Sequence, residues 1–329
     1  MAPLRVQLLS LMAFNSCWFW YGKDSHRASS KLRKLANFAT DFCSMKFKSY
    51  LSLVKFSHTI FALPFALIGF VLALVLRDIS FSWLDFGLVL LCMVTGRNAA
   101  MGFNRYLDRD IDKANPRTAE VREIPNGTLK PNAVLGFVLL NCGIFWLATW
   151  FLNPLCFALA PLVLGVLLFY SYTKRFTALC HLVLGLGLAI APLSAWLALT
   201  AEFSMTPVWF SLAVLCWVAG FDIIYALQDE EFDKAQGLHS IPSYFGRKRS
   251  LNLSRFLHLL TALFLFLAGY LNPFGLIYWI GYGIFIALLV FQHSLVKPND
   301  LSKVNLAFFT TNGIASVTFG ALVIIDLLF

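Results

Sequence analysis

The chain has 329 residues, of which 59% are hydrophobic and only 13% are charged, and its mean hydropathy is +0.73. Soluble domains carry about 25% charged residues, so this composition excludes an ordinary water-soluble enzyme and is typical of a protein with several membrane spans. The net charge of +9 does not indicate nucleic-acid binding, because the basic residues are scattered through short loops between apolar runs.

The first 45 residues differ from the rest of the chain. Their apolar run, Leu8 to Trp20, is too short to cross a bilayer, and basic residues follow it. We interpret residues 1–45 as a poorly defined extension ahead of one transmembrane domain, 46–329. A targeting segment is one explanation. A start site placed too early is favoured, because Met45 lies just before the first span, and it points to a bacterial protein.

Apolar runs of membrane-spanning length follow one another through residues 46–329. A hydrocarbon core of about 30 Å needs about 20 residues per helix. The expected fold is therefore all-α, a polytopic membrane protein with nine transmembrane helices around a central cavity. The predicted spans are 51–76, 83–104, 132–152, 154–173, 178–200, 207–228, 253–272, 273–293 and 305–327.

The charges of the loops predict the orientation of these spans. Lysine and arginine concentrate in alternate loops, at 105–130, 174–175, 234–255 and 297–303, whereas the other loops hold little positive charge beyond Arg77. Because loops rich in lysine and arginine face the cytoplasm, we expect a cytoplasmic N-terminus. The same argument places the long charged loops on the cytoplasmic side of a bacterial inner membrane.

The stretch NRYLDRDID, residues 104–112, follows directly on the second span. Asn104, Asp108 and Asp112 are spaced i, i+4 and i+8, so on a helix they lie along one face. Arg109 and Asp110 lie off this face. We expect both to be ordinary solvated charges.

A second acidic stretch, DIIYALQDEEFD, covers residues 222–233. Four of its residues have the spacing of one helical face, namely Asp222, Tyr225, Asp229 and Asp233. Asp222 lies inside the sixth span, where an ionisable group costs about 2.5–3.5 kcal/mol on insertion scales and usually faces an interior cavity. Glu230 and Glu231 lie off the face and are expected to be solvated.

Two carboxylate clusters on one side of the membrane predict a divalent cation site. Mg²⁺ prefers hard oxygen ligands and is usually held by a few carboxylates plus substrate phosphates. Nearby cations indicate that the substrate carries phosphate. The residues expected to contact substrate are Arg97, Arg105, Lys113, Arg117, Lys174, Arg175 and, at the inner end of the first span, Lys55 and His58.

Three of the residues near these clusters have structural alternatives. Lys55 has the position of a side chain that extends to the membrane surface, and His58 has that of a helix–helix hydrogen bond. Both alternatives stay open beside substrate binding. For His181, in the fifth span, a structural role is favoured.

The two acidic stretches resemble the aspartate motifs of the UbiA superfamily of membrane prenyltransferases. YSYTKRFT, residues 170–177, is similar to the family's tyrosine and Lys-Arg loop. The resemblance covers about residues 45–325. KFSHTIFALPFALIGF, NPRTAEVREIPNG and GLHSIPSYFG look like segments of 4-hydroxybenzoate polyprenyltransferases and their menaquinone-pathway relatives.

The resemblance implies Mg²⁺-dependent transfer of a polyprenyl group from polyprenyl diphosphate to an aromatic acid, with 4-hydroxybenzoate as the expected acceptor in quinone biosynthesis. Membrane lipid is a further expected partner. The implied metal ligands are Asn104, Asp108, Asp112, Asp229 and Asp233. Their four aspartates, with Asp222 and Tyr225, are the implied catalytic residues.

Two alternatives to this function stay open at the level of the sequence. A dihydroxynaphthoate of menaquinone biosynthesis is an alternative acceptor. From another class of protein, an ion or metabolite transporter could use the same carboxylates. A transporter would place them near the membrane midplane, whereas most of these charges lie at the predicted helix ends.

Overall fold

A computed structural model describes residues 49–54 and 61–329. The chain divides into two compact units, Met1–Leu51 and Ser52–Phe329. In the first unit only residues 49–51, which are helical, are described. Predictions for the extension 1–45, Lys55 and His58 lie outside the described residues. The following concerns the second unit.

Eleven helices follow one another in the described part of this unit. They are α1 (Leu63–Leu76), α2 (Trp83–Leu107), α3 (Arg109–Ala114), α4 (Pro131–Leu152), α5 (Pro154–Thr173), α6 (Cys180–Thr200), α7 (Met205–Ala226), α8 (Glu230–Ala235), α9 (Ile241–Tyr270), α10 (Leu276–Leu295) and α11 (Asn312–Leu328). A 3₁₀ turn, Leu227–Asp229, joins α7 to α8, and a π-helical turn, Leu306–Thr311, precedes α11.

Within residues 49–54 and 61–329, eight helical segments are long and apolar enough to cross a membrane. They are α2, α4, α5, α6, α9, α10 and the continuous segments Met205–Ala235 and Leu306–Leu328. The predicted all-α class is confirmed, since in the described ranges β-structure is limited to one bridge between Lys297 and Asp300. The count of nine spans stays a prediction, because span 51–76 crosses undescribed residues. The orientation of the N-terminus also stays a prediction.

The predicted start of the seventh span, at residue 253, was wrong. Helix α9 begins at Ile241, because Ser240 and Ser243 form a capping box and Pro242 occupies the first turn. The helix kinks at Gly246, whose φ of 72° is in the left-handed region that favours glycine. Its first turns are polar and basic, which made them look like a loop in the sequence.

Two helices, α6 and α7, form the centre of the bundle. Helix α7 packs mainly against α6 and α9, and α1 packs on α6. The core is aromatic, and Trp217 in its middle is fully buried and donates a hydrogen bond to Asn312 over 3.1 Å. Because lipid is as apolar as these side chains, close packing and interhelical hydrogen bonds rather than burial from water hold such helices together.

The connections of the bundle alternate between its two ends. Loops 108–130, 174–179 and 227–240 meet at one end, which we call the motif end; there the backbone N–H of His239 donates to the Lys174 carbonyl over 2.7 Å. At the opposite end, Arg77 pairs with Glu202 at 3.3 Å. Both acidic stretches therefore lie at the same end of the bundle.

The tightest helix crossing in this core predicts a specific mutational effect. A Cβ atom on Gly69 of α1 would lie 2.0 Å from the Pro192 carbonyl oxygen of α6. We expect Gly69→Ala to lower the free energy of unfolding by about 1–3 kcal/mol, as overpacking does, measured by denaturant unfolding in detergent micelles. Gly87→Ala is the control, since nothing lies within 4 Å of its Cβ position; equal losses in both variants would contradict the prediction.

Candidate active site

The first acidic stretch keeps helical spacing although α2 ends within it. The backbone N–H of Asp108 donates to the Asn104 carbonyl over 2.9 Å, and that of Asp112 donates to the Asp108 carbonyl over 2.7 Å. The Asn104 amide also donates to the Asp108 carboxylate over 2.9 Å. The side chain of Asp112 is 6% exposed, whereas that of Asp110 is 85% exposed. The predicted contrast between Asp112 and Asp110 is therefore confirmed, whereas Arg109 is half-buried and donates to the Tyr106 carbonyl over 2.8 Å.

Basic side chains compensate the inner carboxylates of this stretch. Arg175 donates to Asp108 over 3.1 Å, and Arg122 pairs with Asp112. Burial still raises the pKa of Asp108, with the positive charge of Lys174 as the main opposing effect. One carboxylate oxygen of Asp112 is buried and has no hydrogen-bond partner in the described part of the chain. The site therefore has unused capacity for a positive charge.

The second stretch reaches the same site through the loop that follows the first. Arg117 holds the Asp229 carboxylate with two donors, one of them Nε at 3.0 Å, and Asn115 donates to the same carboxylate over 3.1 Å. Arg117 also donates to the Tyr225 hydroxyl over 2.9 Å. Burial lowers the pKa of Arg117, but its bonds to Asp229 outweigh that effect and raise it. These contacts join residues more than 100 positions apart.

One prediction for the second stretch was wrong. Glu230 is not a solvated charge, because its side chain is only 9% exposed and pairs with Lys234 at 2.6 Å and with Arg247 at 3.0 Å. The chain turns between α7 and α8, and this turn directs Glu230 toward α9. Glu231, in contrast, is 89% exposed, as expected for a solvated residue.

A cavity of about 550 Å³ opens beside the two stretches. Its polar part includes eleven residues predicted from the sequence, namely Arg97, Asn104, Arg105, Asp108, Asp112, Arg117, Lys174, Asp222, Tyr225, Asp229 and Asp233. Its remaining walls are mainly apolar side chains of α2, α4, α5 and α6. The cavity thus joins a charged mouth to an apolar interior.

Two predicted substrate contacts do not line the cavity. Lys113 is exposed, because it follows the inward-facing Asp112 by one residue and a helix turns about 100° per residue; its role as a substrate contact stays a prediction. Arg175 contacts Asp108 from outside the wall. Conversely, two residues that were not predicted do belong to the site. Arg122 pairs with Asp112 and Asn115 donates to Asp229, although the sequence shows both only as polar residues of a long loop.

The carboxylates have the donor chemistry of a hard cation site but are spread around the mouth. Across the described ranges, no three His, Cys, Asp or Glu side chains are grouped closely enough to hold a metal. The unpaired oxygen of Asp112 and the arginines on Asp112 and Asp229 show that positive charge is required here. The residues therefore fit a divalent ion by their chemistry.

A bundle of helices of membrane-spanning length, around a cavity whose charged mouth lies at one end, is typical of an integral membrane protein that binds its ligand between its helices. The sequence profile of the UbiA prenyltransferase family matches residues 62–314. The chain therefore belongs to this family and is a prenyltransferase. Because the family consists of prenyltransferases, the transporter alternative is set aside.

Individual relatives agree with this assignment. The chain is similar to the 4-hydroxybenzoate octaprenyltransferase of Aeromonas hydrophila, with 31% identity over 69% of this chain and 79% of that protein. The corresponding protein of Vibrio atlanticus is 29% identical over 70% of this chain and 81% of its own length.

Solved structures show the same fold. A UbiA homologue from Aeropyrum pernix K1 is 30% identical and superposes with a TM-score of 0.73 over 82% of this chain and 98% of its own. A UbiA homologue from Archaeoglobus fulgidus, solved bound to DMAPP and Mg²⁺, is 20% identical with a TM-score of 0.68 over 85% of this chain and 99% of its own.

The two faces of the first stretch predict different mutational effects. Asp112→Asn removes a buried charge at the cavity mouth, and we expect prenyl transfer to fall by about 100-fold, as for ligands and their supports at metal sites. Asp110→Asn changes an exposed side chain and is expected to retain activity within about twofold. Product formation by purified protein measures both. Equal losses would show that the facial division has no functional meaning.

Proposed function

We propose that this prenyltransferase transfers a polyprenyl group from polyprenyl diphosphate to 4-hydroxybenzoate in quinone biosynthesis. The observation that carries the proposal is a single cavity with a charged mouth and an apolar interior. Such a cavity fits a substrate with an anionic head and a long apolar tail. Curated relatives named 4-hydroxybenzoate octaprenyltransferase support the choice of acceptor.

Mg²⁺ is the proposed cofactor, and Asn104, Asp108, Asp112, Asp229 and Asp233 are its proposed ligands. The DMAPP and Mg²⁺ of the Archaeoglobus homologue support this choice. When bound, the ion would act as a Lewis acid that stabilises charge on the departing diphosphate.

The basic side chains at the mouth are proposed to bind the diphosphate. Arg105 is 7% exposed and donates to the Asn104 side chain over 3.2 Å. Among the described residues it has no carboxylate partner, and a buried guanidinium in that position favours an anionic ligand. Lys174 lines the same mouth. Arg117 holds Asp229 and would be redirected to phosphate when a metal ion occupies that carboxylate.

The apolar interior is proposed to hold the first part of the isoprenoid tail and to exclude water. In the reaction, the bond between the allylic carbon and the diphosphate oxygen breaks, a bond to a ring carbon forms, and the ring loses a proton. Excluding water protects the allylic cation from hydrolysis. Tyr225 and Asp222 line the cavity beside the mouth and are proposed to face the reacting carbon and the acceptor.

The proposed location is a bacterial inner membrane with the motif end facing the cytoplasm. The excess of lysine and arginine in the loops of that end supports the orientation. Water-soluble aromatic acid would then reach the mouth from the cytoplasm, while the polyprenyl tail stays in the bilayer.

The reaction is tested by diphosphate release from geranyl diphosphate and 4-hydroxybenzoate in purified protein. We expect release to require Mg²⁺, to stop with EDTA, and to fall at least about 100-fold in the Asp108→Ala, Asp229→Ala double variant. Absence of release with any phenolic acceptor would refute the proposal, as would full activity in the double variant.

The acceptor is tested by comparing kcat/KM for 4-hydroxybenzoate and a dihydroxynaphthoate with the same donor. We expect at least a tenfold preference, roughly 1.4 kcal/mol of differential transition-state binding, for 4-hydroxybenzoate. The opposite preference would assign the enzyme to the alternative reaction of menaquinone biosynthesis.

A further inference from the structure

His181, in the first turn of α6, joins three helices at the wall of the cavity. Its side chain is 4% exposed. The ring atom Nδ1 lies 2.7 Å from the Asp222 carboxylate on α7, and Nε2 lies 3.3 Å from the backbone nitrogen of Ile241 at the start of α9. The proposed reaction does not yet use this histidine, and the sequence favoured a structural role for it.

The backbone contact determines which ring nitrogen carries the proton. The N–H of Ile241 is always a donor, so Nε2 of His181 must accept and has no proton. The proton of the ring therefore lies on Nδ1, where it is donated to Asp222. The Nδ1 proton of His181 is thus donated to Asp222, while the N–H of Ile241 orients the ring from the other side.

The rest of the Asp222 side chain faces the cavity. This side chain is 21% exposed and lines the cavity wall. Asp222 lies seven residues, or about 10 Å of helix, deeper than Asp229. An acceptor ring bound next to the diphosphate would lie at this depth. A carboxylate held by one oxygen can there accept a hydrogen bond from the hydroxyl group of the ring.

The segment that contacts Nε2 of His181, residues 239–241, is itself close to the cavity mouth. Residues 239–241 hold the Lys174 carbonyl through the N–H of His239 at 2.7 Å. The His239 carbonyl also accepts a weak hydrogen bond from the thiol of Cys180 over 3.5 Å. The tautomer of His181 is therefore set by the same segment that fixes the backbone at Lys174.

We propose that His181 is a positioning residue for prenyl transfer, which holds Asp222 as a hydrogen-bond acceptor for the hydroxyl group of the aromatic acceptor. This inference rests on the proposed function. The hydrogen bond to Asp222 raises the electron density of the ring at the carbon that forms the new bond. His181 does not take up the released ring proton, because its Nε2 lone pair is occupied by the N–H of Ile241.

Two substitutions separate the hydrogen bonds of His181. Asparagine places a side-chain donor near the position of Nδ1, so His181→Asn keeps the bond to Asp222 and loses the acceptor for Ile241. Glutamine reaches the position of Nε2, so His181→Gln keeps the acceptor for Ile241 and loses the donor to Asp222. The pair therefore distinguishes positioning of Asp222 from attachment of α9.

We expect His181→Gln to lower kcat by about 10- to 100-fold, as for groups that orient a functional partner, with KM for the prenyl diphosphate unchanged. His181→Asn should retain kcat within about threefold of wild type. In the Asp222→Asn background, His181→Gln should cause little further loss, because residues that act as a unit are not additive. Cys180→Ala tests the attachment of the loop alone and should retain kcat within about twofold.

The reverse order, in which His181→Asn lowers kcat more than His181→Gln does, would overturn the inference and assign His181 to the attachment of α9. Equal losses accompanied by equal drops in thermal stability would overturn it as well. A wild-type enzyme without activity on any phenolic acceptor would instead refute the proposed function. The two failures are therefore distinguishable.

Discussion

The site depends on the pairing of carboxylates at its mouth with arginines from loop 108–130, which continues directly from the first acidic stretch. Asp112 and Asp229 lie at the end of an apolar bundle, where a carboxylate without a cation is strongly disfavoured. Arg122 and Arg117, both from loop 108–130, supply the compensating charges. This constraint brings the two acidic stretches together, because one loop must reach both. It also explains why the long loop is folded against the bundle rather than extended into solvent.

The same constraint suggests how the site accommodates its substrate. Guanidinium groups are compatible with either carboxylate or phosphate. Arginines that hold the aspartates in the absence of metal are therefore positioned to bind diphosphate when metal is present. The apolar wall between α2, α4, α5 and α6 stays available for the uncharged part of the substrate, and the charged and apolar parts of one molecule can bind within a single cavity.

Much of this arrangement could be predicted from local sequence. Apolar length predicted the spans from residue 83 to 228 to within a few residues, and i, i+4 spacing separated Asp112 from Asp110. Prediction failed where tertiary contacts decide. Glu230 is buried because Arg247 approaches it from α9, and α9 begins at Ile241 because of a capping box in a stretch that looks polar. Neither the approach of Arg247 nor the capping box can be read from the periodic spacing of apolar residues in the sequence.

By itself the sequence determined the membrane class, the helical composition and the family, because hydrophobic length and motif spacing are properties of a contiguous chain. Only the tertiary structure decided which polar groups meet. Arg117 reaches Asp229 across 112 positions, and His181 obtains its tautomer from the backbone of Ile241, 60 positions away. Such contacts depend on how helices pack around the cavity. Packing is set by the shapes of many side chains together, which no local pattern records.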